Sequence, residues 1–220
     1  MGYEDGWSRL HGGHRPAGLV GAWLAVLHPV ARALAARRVS PDLLTATALG
    51  LAVAAVPAAL AGGPYLPLAA LLVLAGAVVD GLDGAVAVLR HRATRRGAIL
   101  DSAGDRLAEA AAAVALWAAG APGWLAATAA GLWWLHEYLR ARAAAVGVPG
   151  IGVITAGERP TRVIAAVVGL ATAWPLGAPG ATAGAAAGGA LALVGLAQLG
   201  AWLRRADVPG DDRGGERDER

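Results

Sequence analysis

The sequence predicts an all-α membrane protein, with six transmembrane helices preceded by an amphipathic helix lying in the membrane interface. Three observations carry that reading. Six apolar stretches, near 43–62, 66–89, 101–120, 123–144, 161–177 and 182–203, reach the length needed to cross a bilayer core as helix. The loops between them alternate in charge, as the positive-inside pattern demands. Tryptophans at Trp124, Trp174 and Trp202 fall near the proposed ends, where interfacial aromatics belong.

Taken in order, residues 1–17 form a polar N-terminal segment. Residues 18–38, "GLVGAWLAVLHPVARALAARR", resemble a cleaved secretory signal in that Arg15 precedes an apolar run. The interfacial helix is the better reading, because basic residues follow the run and the chain then enters the membrane. In it Leu19, Trp23, Leu27 and Leu34 oppose Arg32 and Arg37. Residues 39–205 hold the six helices as one domain. Three connections, "AGGPY" at 61–65, "AGAPG" at 119–123 and "WPLGAPG" at 174–180, carry no charge. The others carry Arg37 and Arg38; Arg90, Arg92, Arg95 and Arg96; Arg140, Arg142, Arg159 and Arg162; and Arg204 and Arg205. The charged loops and both termini are therefore expected in the cytoplasm, with the chain a multi-pass protein of the cell membrane. Residues 206–220, mixed in charge and Gly-rich, are expected to be a disordered cytoplasmic tail.

Composition sets further bounds. The 220 residues are 56% hydrophobic, and the absence of cysteine excludes disulfides and thiolate metal sites. Mean hydropathy is +0.51. The net charge of +3 is modest, and no nucleic-acid partner is expected.

Against this apolar background stands "VVDGLDGAVAVLRHRATRRGAILDSAGDRLAE" at 78–109. An ionisable residue in a membrane span is costly and marks a functional site by default. Asp80 and Asp83 are three residues apart and share a helix face with Gly84 and Ala87; Asp101 and Asp105 are four apart and also stack. Two such pairs, at the cytoplasmic ends of consecutive helices, can converge. Like charges held that close need cations between them. Hard oxygen ligands suit Mg²⁺ or Mn²⁺, which commonly bridge substrate phosphates. Gly84 leaves room for a ligand beside the backbone. The pattern points to a two-metal phosphoryl-transfer site at the membrane surface.

The same stretch resembles the signature of the CDP-alcohol phosphatidyltransferases, D-x2-D-G-x2-A-R-x8-G-x3-D-x3-D. Asp80, Asp83, Gly84, Ala87, Gly97, Asp101 and Asp105 match in register, and Val88 stands where the family has arginine. "SPDLLT" at 40–45 resembles the family's first-helix start, which carries a nucleotide-holding role to Asp42 and Thr45. Ser-Pro-Asp also starts any helix well. "TRRG" at 94–97 resembles a segment of the inositol-phosphate-using branch, where the threonine, here Thr94, contacts the liponucleotide. "EYLRARAAAVG" and "GERPTR" resemble that branch's acceptor-side segments.

The resemblance implies a transferase of phospholipid biosynthesis that works as a homodimer. The hydroxyl of a small alcohol acceptor attacks the lipid-linked phosphorus of CDP-diacylglycerol, and CMP leaves. Asp80, Asp83 and Asp101 hold two Mg²⁺ or Mn²⁺ ions; Asp105 ligates one and takes the acceptor's proton. Arg140, Arg159 and Arg162 favour a phosphorylated acceptor, inositol phosphate first, since arginine suits bidentate phosphate recognition. Gln198 and Leu199 stand where that branch carries a functional arginine. If the 66–89 helix continues past Leu89, Arg92 lies four residues beyond Val88 and replaces the missing arginine at the CDP lipid, while Arg90 falls on the far face.

Two other functions are conceivable from the sequence: an impaired family member serving as a membrane-binding partner, for which Val88 is the only support, and a cation or proton transporter using intramembrane acids. Transporters place such acids near mid-membrane, whereas these lie at helix ends. "HEYLR" at 136–140 lacks the second histidine of a zinc-protease box. "GAAAG" at 184–188 fits a small-residue helix contact. Trp133 and Trp134 read as packing or lipid-facing.

Overall fold

The computed structural model describes residues 18–148 and 154–205, with side chains described from Leu27 onward. The polar N-terminal segment, the C-terminal tail, and the side chains of Leu19 and Trp23 lie outside the described residues. What is described is all helical: α1 (Gly18–Ala36), α2 (Pro41–Ala61), α3 (Leu66–Leu89), α4 (Arg95–Ala118), α5 (Gly123–Ala145), α6 (Arg159–Leu176) and α7 (Ala178–Leu203). A single 3₁₀ turn, Gly63–Tyr65, joins α2 to α3.

The helix boundaries follow local chemistry. Pro41 opens α2 and Leu66–Pro67 opens α3, because a proline in the first turn loses no intrahelical bond. Gly62 and Gly177, both at positive φ, stop α2 and α6. α4 begins six residues before the 101–120 span read from hydropathy. Thr94 caps it, accepting a hydrogen bond from the Gly97 amide at 3.0 Å.

α1 buries Leu27 and Ala31, with Leu34 partly covered, against Leu44 of α2 and Leu82, Ala85 and Val86 of α3. Arg32 and Arg37 are exposed on its other side. α2 packs on α3 and α4, α6 on α3 and α7, and α5 on α7.

The interior is built from alanine and glycine, and the helices approach closely because of it. A Cβ added at Gly184 would come within 2.5 Å of the Gly169 Cα, and one at Gly180 within 2.5 Å of the Thr172 backbone. A Cβ at Gly188 would meet the Trp133 ring at 2.7 Å. The 184–188 pair is thus a contact between helices, as small residues allow where no hydrophobic driving force separates helix from lipid. Trp133 is buried and donates to the Gly188 carbonyl at 3.0 Å, whereas Trp134 faces outward.

Three segments are long and apolar enough to cross a membrane: Pro41–Ala61, Gly63–Leu89 and Ala178–Leu203. Of the other four helices, α4, α5 and α6 carry charge toward one end: Arg95, Arg96, Asp101, Asp105, Arg106 and Glu109 in α4, Glu137, Arg140 and Arg142 in α5, and Arg159 and Arg162 at the start of α6.

Candidate active site

The two halves of the aspartate motif sit on antiparallel helices, joined by the short connection 90–94. Carboxylate oxygens of Asp80 on α3 and Asp101 and Asp105 on α4 all lie within 4.8 Å of one another. Asp80 is 8% exposed. Three carboxylates this close, with hard oxygen donors and no sulfur or imidazole among them, fit a divalent cation of the Mg²⁺ or Mn²⁺ type.

Asp83 takes a different position. Its Oδ2 accepts a hydrogen bond from the Thr45 hydroxyl, and its Oδ1 from the Gly84 amide at 2.5 Å. Thr45 in turn lies between the two motif helices, since its Cγ2 stands 3.2 Å from where a Cβ on Gly104 would be. A residue read from sequence as a nucleotide contact is therefore also the wedge that sets Asp83. Gly84 is exposed, and a Cβ there would have nothing within 4 Å. The face beside it is open. Ala87 is half-buried, and Asp42 is exposed in the first turn of α2.

The arginines expected at the acceptor separate into three environments. Arg159, the first residue of α6, pairs with Asp80 and, at 2.8 Å, with Asp105. Arg140 pairs with Glu158, whose same oxygen also accepts from the Thr155 amide at 2.9 Å and the Thr155 hydroxyl at 3.1 Å. Arg162 is 1% exposed and turned into the bundle. It donates to Glu137 Oε1 at 2.5 Å and to the Trp133 carbonyl at 2.9 Å, with Glu109 Oε1 also 2.9 Å away. Its Nη1 and Nη2 donors are spent on interior partners, which leaves Arg140 and Arg159 as the better-placed candidates for the acceptor.

The expectation for Arg92 rested on a helix running past Leu89, and α3 ends there. The amides of Arg90, His91 and Arg92 fold back onto the carbonyls of Val86, Val88 and Ala87, and His91 takes φ 53°. The helical angle that brought Arg92 over Val88 does not exist. Arg92 is exposed. Arg90 instead donates to the carbonyls of Arg38 at 3.0 Å and Val39 at 2.6 Å, tying the end of α3 to the α1–α2 connection.

Sequence reasoning missed Glu109, Glu137 and Glu158. One signal was present: Glu109 continues the four-residue step of Asp101 and Asp105. It is 5% exposed and joins Asp80, Thr45, Arg159 and Arg162 in lining a cavity between α2, α3, α4 and α6. Gln198 accepts from the Ala156 amide at 2.8 Å, and buried His136 shares a 2.9 Å hydrogen bond with Thr155, so both hold the segment that leads into α6.

The chain is similar to known proteins. The chain is 38% identical over 134 residues to the archaetidylinositol phosphate synthase of Methanothermobacter thermautotrophicus, covering 58% of this chain and 64% of that relative. It is 36% identical over 157 residues to the phosphatidylinositol phosphate synthase of Mycolicibacterium smegmatis, covering 67% of this chain and 68% of the relative. The chain thus spans just under two thirds of the archaeal protein and just over two thirds of the mycobacterial one. Its fold resembles crystal structures of phosphatidylinositol phosphate synthase from Mycobacterium tuberculosis. One, with CDP-DAG bound, has TM-score 0.63 and 26% identity over 86% of this chain and 98% of that one. Another, in complex with manganese and citrate, has TM-score 0.66 and 27% identity over 85% and 92%. The model of the CDP-alcohol phosphatidyltransferases matches residues 38–203, which include all four aspartates, and the chain belongs to that family.

Proposed function

We propose that this protein is a multi-pass membrane phosphotransferase that moves a phosphatidyl group from CDP-diacylglycerol to an alcohol bearing its own phosphate, inositol phosphate first, and releases CMP. The observation that carries the reading is the meeting of Asp80, Asp101 and Asp105 with Arg159 at one end of the bundle. A site for the donor's diphosphate needs acidic cation ligands, and a site for a phosphorylated acceptor needs a cation of its own. Both lie within a few ångströms here. The relatives named for phosphatidylinositol phosphate and archaetidylinositol phosphate synthesis support the acceptor class.

In this mechanism the acceptor hydroxyl oxygen attacks the phosphorus that carries diacylglycerol. The bond from that phosphorus to the CMP oxygen breaks, and CMP departs with the electron pair. Asp105 takes the hydroxyl proton, and Arg159 beside it holds the acceptor phosphate with Arg140. Asp80, Asp101 and Asp105, joined by Asp83 once it leaves Thr45, would hold two Mg²⁺ or Mn²⁺ ions, which would supply charge neutralisation at the diphosphate and leaving group. Asp42, Thr45, Gly84, Ala87 and Thr94 flank the CDP-lipid. The exposed face at Gly84 favours this most directly, and the capping role of Thr94 is compatible with it.

The six-span reading belongs to the same proposal. Glu109 and Arg162 are buried and Asp105, Arg106 and Glu137 partly so, while Leu107, Trp117, Leu135, Ile164 and Val168 face out, so a whole-helix average understates how apolar the outer surface is. The uncharged connections then lie outside the cell and the aspartates on the cytoplasmic side. The working form is proposed to be a homodimer.

The test is direct. Purified protein is given CDP-diacylglycerol, Mg²⁺ or Mn²⁺, and a panel of free and phosphorylated alcohols, with products identified by mass. Metal-dependent CMP release with a phosphorylated lipid headgroup is expected. Release only with an unphosphorylated alcohol overturns the acceptor class, and no release at all overturns the transferase.

A further inference from the structure

One helical turn beneath the candidate active site lies a second set of charges that the proposed reaction does not use. Glu109 follows Asp105 by four residues on α4, and Arg162 follows Arg159 by three on α6, so each sits directly under its partner on the same helix face. The side chains are 4% and 1% exposed. Glu109 Oε1 is 2.9 Å from Arg162 Nη1, and Glu109 Oε2 is 3.1 Å from Arg106 Nη1. Arg162 reaches across to Glu137 and the Trp133 carbonyl on α5. Three helices are therefore fastened at one level by a balanced pair of acids and bases.

Such a network is a poor source of stability. The desolvation of two buried charges offsets their attraction, and well-packed apolar residues commonly do as well or better. In a bundle otherwise made of alanine and glycine, an apolar solution was available. What the charges provide is geometry, since a guanidinium fork donates to its partners in fixed directions and so sets the rotation of each helix about its axis. Rotating α4 or α6 would swing Asp105 or Arg159 away from the other; their contact is 2.8 Å.

We propose that Glu109 and Arg162 are positioning residues, which hold Asp105 and Arg159 in the geometry that makes the carboxylate cluster a divalent-cation site and the reaction possible. The reaction half of this rests on the transferase reading, while the cation half stands on the cluster alone.

The experiment uses the purified full chain as wild type, Glu109→Gln, Arg162→Lys and the double variant Glu109→Gln/Arg162→Met. Three quantities are measured: the thermal unfolding midpoint, Mn²⁺ affinity from the free-ion electron paramagnetic resonance signal, and the rate of CMP release. The single variants are expected to weaken Mn²⁺ binding by about 10–100-fold and to slow turnover by a similar factor. The double variant removes both charges of the 109–162 pair while Glu137 and Arg106 lose a partner each, so it is expected to recover part of the midpoint lost in the single variants but none of the Mn²⁺ affinity. A network that serves stability alone would restore both together, and that result overturns the proposal. So does wild-type Mn²⁺ affinity in any folded variant. If the wild type releases no CMP, the transferase reading fails, and Mn²⁺ affinity still decides whether the pair positions the cluster.

Discussion

The first four helices and the last three hold their polar groups in opposite ways. In α3 and α4 the acids run along single helices at spacings of three and four residues, and they open onto the face left free at Gly84. In α5–α7 the polar groups are paired between helices, Arg162 to Glu137 and Arg140 to Glu158, or spent on fixing backbone, as Gln198 is at Ala156. Function placed on one helix face leaves a periodic trace. Function assembled across helices leaves none, because no rule of spacing links Glu109 to Arg162.

The largest test of that contrast is at the carboxylates. Asp105→Asn should lower CMP release by about 10³-fold while leaving the unfolding midpoint near that of wild type, because it removes a proton acceptor without changing side-chain volume. Asp83→Asn should also lose most activity. It frees Thr45, so its effect should appear as weakened CDP-diacylglycerol binding as well as slowed turnover. Wild-type turnover in folded Asp105→Asn would remove that residue from the role of base.

In the second region the matching test is packing. Gly184→Val should destabilise α6 against α7 by at least about 1–3 kcal/mol, since its Cβ alone meets backbone. The expected reading is a lower midpoint and poor yield, with residual activity proportional to the folded fraction. A well-folded Gly184→Val with selectively lost turnover would break the division between the two regions.

A smaller effect is expected where the regions differ least, at the connections. Arg90→Ala should lower stability by about 1–3 kcal/mol through the two carbonyls it leaves, and Arg92→Ala should be near neutral. Thr94→Ala should cost about 1 kcal/mol as a lost helix cap. If Thr94→Ala instead raises the Michaelis constant for CDP-diacylglycerol with no change in midpoint, the threonine serves the lipid more than the helix. Topology is tested by single cysteines at 61–65, 119–123 and 174–180, which are clean reporters because the chain has none of its own. They should react with impermeant reagents from outside the cell.

The sequence made the helix order and the aspartate pairs legible because each leaves a local period or a turn. Asp80, Asp101 and Asp105 converge as their spacing implies. The account failed at Arg92, where a left-handed His91 ended the helix without a glycine or proline to announce it. It also misplaced Arg162, since an arginine at a membrane boundary reads the same whether it faces water or a buried glutamate. The packing of Thr45 between the motif helices was invisible too, because Gly104, against which it packs, is distant in sequence.

The hook formed by Arg90 has a consequence for how the chain is made. Its targets, the carbonyls of Arg38 and Val39, precede it by 52 and 51 residues. Leu82, Ala85 and Val86, against which Leu27 and Ala31 rest, are likewise made long after α1. During synthesis the N-terminal helix therefore cannot gain its full packing until the third helix is complete. Arg90 then pins the connection between α1 and α2 from a point in the chain just ahead of the helix that carries Asp101 and Asp105.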